Sequence, residues 1–136
     1  MSVLSEVRLD GAGFTAGGAR PANFPIDVAT LGTDTLLVAF ARGVAVIGIS
    51  SPVAPHVLHV IDVRGKAVSI DTRGRTAAVA VAGPNPAVVI LEFSGVAPPV
   101  TKQIALPPGT NPAGIAFTGA RVAVAARNRG VLLVDR

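Results

Sequence analysis

The chain contains no cysteine, tryptophan or tyrosine and only one methionine, and 15% of its 136 residues are charged. Without cysteine there are no disulfides, and every metal or nucleophile site built on a thiolate is excluded. Without tryptophan and tyrosine there is no ring on which to stack a pyranose face, which disfavours a sugar-binding protein. The same lack removes the platforms that single-stranded nucleic acids use, so nucleic acid is not an expected partner. The five phenylalanines (Phe14, Phe24, Phe40, Phe93 and Phe117) fall mostly in predicted strands and read as core. Long apolar runs are missing too. The stretch 76–91 is cut by Gly83-Pro84-Asn85-Pro86, and 103–120 is cut by Pro107, Pro108 and Pro112. Neither supplies the roughly twenty unbroken apolar residues of a transmembrane helix, so no membrane span is expected. The first residues, MSVLSEVRLDG, lack a basic start followed by an apolar run. No signal peptide is expected, and a cytoplasmic location is the default.

What is present is half hydrophobic by count. Such a chain fills a core easily but has little polar surface to cover it, and a subunit interface is the simplest place for the surplus. The formal net charge is +4, from 12 Lys+Arg against 8 Asp+Glu, and ten of the twelve cations are arginine. A modest positive charge attracts anions without being a nucleic-acid footprint.

Segments 26–49, 68–93 and 114–135 align on Thr30, Thr72 and Thr118, which stand 42 and 46 residues apart. Glycine and proline recur throughout, and β-branched residues dominate the apolar positions, which excludes most helix. Turn signals divide the first repeat into strands at 26–30, 35–41, 44–49 and 56–63. The second gives 67–72, 76–82, 87–93 and 100–106. The third gives 114–118, 121–126 and 131–135 and then ends without a fourth strand. Short apolar strands repeating at this period predict an all-β fold, a β-propeller with three four-stranded blades per chain. Blade one covers about 24–64, blade two about 65–109 and blade three about 110–136. Residues 1–9 resemble the fourth strands at 57–63 and 100–106, and so are expected to complete the last blade as an N-terminal strand; an unrelated leading strand is the plainer alternative.

Three blades do not close a ring. An open arc leaves two blade faces wet, and at roughly 25 cal/mol per Å² several hundred Å² on each would forfeit about 10 kcal/mol, comparable to a domain's stability. Two identical chains give six blades, within the usual four to eight, whereas three would give nine. Closure by homo-oligomerisation as a dimer is therefore expected, the alternative being one part of a longer propeller.

The run Val44-Ala45-Val46-Ile47-Gly48-Ile49-Ser50-Ser51-Pro52-Val53-Ala54-Pro55 resembles the LVIVDVSDPSNP core of LVIVD-repeat β-propellers, and Val131-Leu132-Leu133-Val134-Asp135 is similar to its start. The run Asn111-Pro112-Ala113-Gly114-Ile115-Ala116 resembles the strand entry of YVTN-type bacterial propellers. The resemblance implies a propeller used as a binding scaffold, with no shared catalytic residues to transfer. The run Val88–Pro99 is loosely similar to the same core, and the chain departs from the pattern in lacking tyrosine and in having Gly48 and Glu92 where the core has aspartate.

Catalytic constellations are scarce. His56 and His59 stand three apart in one predicted strand, so alternation sends them to opposite faces and no metal site is expected. Gly11-Ala12-Gly13-Phe14-Thr15-Ala16 fits a dinucleotide fingerprint, but Gly17, Gly18 and Pro21 forbid the helix whose N–H groups would hold the pyrophosphate. No cofactor is expected. Asp27 and Asp71 fall near first strands, where they could reach a central channel or simply satisfy a ladder end.

The site expectation is geometric. Loops joining fourth to first strands and second to third strands gather on one rim of a propeller. Here they carry Arg20, Asn23, Arg42, Arg64, Lys66, Asn85, Asn111, Arg127 and Arg129, with hardly an acid among them. Such a rim could hold a carboxylate or phosphate of a small anion, or a protein partner. The plainer reading is that these arginines solvate the loops of an apolar protein. A non-catalytic binding or scaffolding propeller is the first expectation, and a propeller enzyme working in the central channel is the alternative.

Overall fold

The computed structural model describes residues 3–5, 25–51, 53–94 and 98–136. Its described secondary structure is entirely β. The described residues form eleven strands: β1 (Pro25–Leu31), β2 (Thr35–Phe40), β3 (Gly43–Gly48), β4 (His56–Ile61), β5 (Lys66–Arg73), β6 (Thr76–Ala82), β7 (Ala87–Glu92), β8 (Val100–Ala105), β9 (Pro112–Thr118), β10 (Arg121–Ala126) and β11 (Gly130–Asp135). They form three antiparallel meanders, β1-β2-β3-β4, β5-β6-β7-β8 and β9-β10-β11. The meanders follow from the turns, since most consecutive strand pairs are joined by a short segment containing glycine, proline or aspartate, and the β2–β3 and β10–β11 turns run directly into Gly43 and Gly130 at the start of the next strand.

The strand expected over 1–9 lies mostly outside the described residues, and Val3, Leu4 and Ser5 are not in a strand. The third sheet has three strands among the described residues, so β11 forms its edge. Leu4 and Ser5 lie instead beside Leu36, Val38, Ile47, Ile49 and Pro55 on the first sheet, lining an apolar groove of about 470 Å³.

The sheets stack through alternating side chains. Leu37, Ala39, Val44 and Val46 of the first sheet pack on Ala77, Val79, Val81, Val89 and Leu91 of the second. The opposite face of the second sheet (Ala78, Val88 and Ile90) packs on Val122 and Val124 of the third, with Leu132 and Val134 beside them. The period of two therefore divides the side chains of β6 and β7 between two cores.

β1 lies against β5, and β5 against β9. A set of polar contacts ties these three first strands together at the repeat spacing. The Ser69 hydroxyl donates to Asp27 Oδ2 (3.1 Å) and accepts from the Ile115 amide (3.2 Å). Asp27 Oδ2 also accepts from the Ile70 amide (3.0 Å), and Asp71 Oδ2 accepts from the Phe117 amide (2.9 Å). At the far end, Thr72 Oγ1 donates to the Thr30 carbonyl (2.6 Å) and Arg73 Nη1 to that of Gly119 (2.7 Å). Edge amides that no ladder reaches are satisfied by the neighbouring sheet's side chains. Asp27 and Asp71 both serve as acceptors for amides of the neighbouring sheet.

One local expectation fails. His56 pairs with Gly48 and His59 with Val46, two residues apart on β3, because the ladder shifts register between Val46 and Ile47. The extra residue, Leu58, cancels the alternation and leaves both histidines on one side of the sheet. A Cβ at Gly48 would lie 3.5 Å from His56, which places His56 on the Gly48 side of the sheet. Among the described residues no group of three or more His, Asp or Glu is placed to hold a metal. No described helix is long and apolar enough to cross a membrane.

Candidate functional site

The starts of β1, β5 and β9 surround a cleft of about 590 Å³. Three first strands side by side bring their leading residues to one end, and the β10–β11 turn closes the side. The lining includes Asp27 from β1, Lys66 and Ser69 from β5, Ala82 from the end of β6, Asn111 before β9 and Arg127 after β10.

Each cationic or amide group is placed by an identifiable local device. Gly65 lets β5 begin close against β6, since a Cβ there would fall 2.5 Å from Val81 Cγ1 and 3.0 Å from the Ala82 carbonyl. Arg64 turns the chain into β5 at φ 60, a left-handed conformation costly for a side-chain-bearing residue. Its amide donates to Asp62 Oδ1 (2.8 Å), which holds the turn and presents Lys66 to the cleft. On the other wall, the Arg127 amide donates to the Asn111 carbonyl (2.9 Å). Asn128 braces the same loop. Its Oδ1 accepts from the Asn111 amide (3.0 Å) and its Nδ2 donates to the Gly109 carbonyl (2.8 Å). Loss of both bonds in Asn128→Ala should cost about 1–2 kcal/mol in chemical denaturation and increase amide exchange at Asn111 and Arg127, while exchange in β6 stays unchanged.

The described rim residues thus divide in two. Lys66, Asn111 and Arg127 converge on the cleft. Arg42, Arg64, Asn85 and Arg129 sit in neighbouring turns but do not line it. Arg129 is committed elsewhere, its Nη2 donating to the Pro108 carbonyl (3.1 Å). Arg20 and Asn23 lie outside the described residues.

Two polar lining residues, Asp27 and Ser69, were absent from the expected set. Asp27 puts a carboxylate into a rim expected to be almost free of acid. Its Oδ1 accepts from the Val28 amide (2.9 Å), so with the two bonds at Oδ2 it takes three donors from the protein. Ser69 is buried, and its hydroxyl uses its proton and one lone pair within the wall. It is a strut, not a poised nucleophile. The clue available in the sequence was the 42-residue offset between Asp27 and Ser69, which puts both on the same level of adjacent strands.

The cleft therefore presents an ammonium, a guanidinium and a carboxamide opposite one carboxylate whose oxygens already accept hydrogen bonds. Its chemistry is donor-rich. A scan against protein-family models matches none, and a search of the curated proteins finds no match to the chain.

Proposed function

We propose that the three sheets are blades of a β-propeller that works as a non-catalytic binding scaffold, and that the cleft at the starts of β1, β5 and β9 receives an anionic ligand. The observation that carries this reading is the convergence of Lys66, Arg127 and Asn111, from three separate segments, on one cavity. Its size suits a small molecule or a side chain of a partner, at the modest end of ordinary ligand pockets. Lysine supplies a compact charge and arginine a planar fork, the pair of donors that carboxylates and phosphates use. The stacked, period-related meanders support the blade reading, as does the similarity of 44–55 and 131–135 to LVIVD-repeat strands.

Inorganic phosphate and succinate serve as probes. Lys66→Glu combined with Arg127→Glu should weaken binding of either at least ~30-fold by calorimetry at low salt. Arg42→Glu, in a neighbouring turn outside the cleft, should change it less than about threefold. Equal losses in both variants would mean that net charge, not the cleft, recruits the anion. No binding by the unaltered protein would remove the reading altogether.

A further inference from the structure

Opposite charges line the cleft without neutralising one another. Asp27, Lys66 and Arg127 share one cavity, yet no ion pair joins the carboxylate to either cation. The ion pair among the described residues is Arg121–Asp135, at the opposite end of the third sheet. Nor do the Lys66 ammonium, the Arg127 guanidinium or the Asn111 carboxamide hydrogen-bond to the described chain. Their neighbours Asn128 and Arg129 are instead spent on loop carbonyls. Three donor groups in the cleft are therefore open to a ligand, and the carboxylate is not occupied by any of them.

Asp27 itself has one place left. An ionised carboxylate offers about four acceptor positions, and the chain fills both at Oδ2 with the Ser69 hydroxyl and the Ile70 amide. These two bonds lie in the half-buried seam between the first two sheets. Oδ1 receives only the Val28 amide, a contact on the exposed side. The remaining lone pair at Oδ1 calls for a donor, and it repels an anion placed there.

The donor end and the acceptor end stand apart. Lys66 opens β5, whereas Asp27 is tied to the same strand at Ser69 and Ile70. At ~3.3 Å per residue, Lys66 and Ser69 are about 10 Å apart along the backbone, somewhat less where the ladder shifts register between Ala67 and Ser69. Val68 lies between them in the chain and lines the cleft, as do Ala82 and Pro112. Cations, an apolar stretch and a carboxylate with one free acceptor position thus follow one another along the cavity.

We propose that the ligand of this cleft is a zwitterion, an ω-amino acid whose acid is held by Lys66, Arg127 and Asn111 and whose ammonium donates to Asp27 Oδ1, with its methylenes against Val68. The proposal rests on the anion reading above and narrows it. Two cations against one lining carboxylate favour a dianion by charge alone. A dianion long enough to span the cleft, however, sets its second carboxylate against Asp27, and that repulsion is what selects the amino acid.

Calorimetry at low salt with γ-aminobutyrate, glutarate and butyrate tests this, because the three share a spacer and differ only at the far end. The unaltered protein should bind γ-aminobutyrate at least as tightly as glutarate, and at least ~10-fold more tightly than butyrate. In Asp27→Asn the order should reverse: γ-aminobutyrate weakens at least ~10-fold while glutarate tightens several-fold. Asp27 also ties the first strands together, so if this variant does not fold, the comparison of the three ligands on the unaltered protein decides. Glutarate binding with γ-aminobutyrate no better than butyrate would overturn the zwitterion and leave the anion site standing. A shift of both ligands in the same direction in Asp27→Asn would overturn it as well. If none of these ligands nor inorganic phosphate binds, the zwitterion falls together with the reading on which it rests.

Discussion

Asp27→Asn should lower stability and strengthen anion binding at the same time. The carboxylate takes three protein donors, the Val28 amide at Oδ1 and the Ser69 hydroxyl and Ile70 amide at Oδ2. Asparagine has the same shape but only one acceptor oxygen. If its amide nitrogen replaces Oδ2, two donors face a donor; if the group flips, the Val28 amide does. Either orientation opposes donors in a half-buried site, and charge assistance is lost from what remains. The cost is about 2 kcal/mol, equivalent to a fall of roughly 7 °C in Tm for a domain of this size. The same change removes a carboxylate lining the cleft that holds Lys66 and Arg127, so phosphate should bind several-fold more tightly. A variant of unchanged Tm would mean that the first strands are not tied through Asp27. Weakened phosphate binding would mean that the carboxylate orients the cleft's cations instead of opposing the ligand.

Gly43→Ala should be the most damaging added methyl among the described glycines. Gly43 opens β3 at φ +151, a conformation that side-chain-bearing residues rarely adopt. A Cβ there would sit 2.2 Å from the Ile61 carbonyl oxygen and 3.2 Å from its carbon. Both are backbone atoms of the paired strand β4, held in the ladder opposite Val44, so neither can swing aside as a side-chain tip would. The β3–β4 ladder must open locally, and Leu37, Val44 and Ile61, which meet in the core between the first two sheets, are disturbed with it. More than about 4 kcal/mol is expected, placing this among the exceptional substitutions. Gly74→Ala is the control. It has φ +61 but nothing within 4 Å of the added carbon, so only backbone strain of about 1–2 kcal/mol should register. Urea denaturation of the two variants separates the contributions, and equal losses would refute the close approach of β4 at Gly43.

The β-strands were legible because turn residues bracket short runs of branched side chains. The strand at 76–82 and that at 121–126 were expected with the bounds the structure shows, and most others differ by one or two residues. The β4 bulge was not legible, since an inserted residue in a ladder leaves no mark on composition, and Leu58 looks like any other strand leucine. The site was half legible. Loop order alone placed Lys66, Asn111 and Arg127 at one end of the sheets. Their separation from Arg42, Asn85 and Arg129 depends on how far each turn leans toward the neighbouring sheet. Asp27 was missed as a lining residue because its acceptor role is fixed by Ser69 and Ile70, which lie 42 and 43 residues away.

The contact running from Asp27 through Ser69 to the Ile115 amide has a direction. Its first member can only accept, its last only donates, and the middle one does both. Multiplying the middle unit would set serine against serine, and the run would simply lengthen. Multiplying the first would press carboxylate on carboxylate, while multiplying the third would offer an isoleucine where an acceptor is required. The three units are related in sequence but not interchangeable, and growth of such an array, by duplication or by design, has one permitted insertion point.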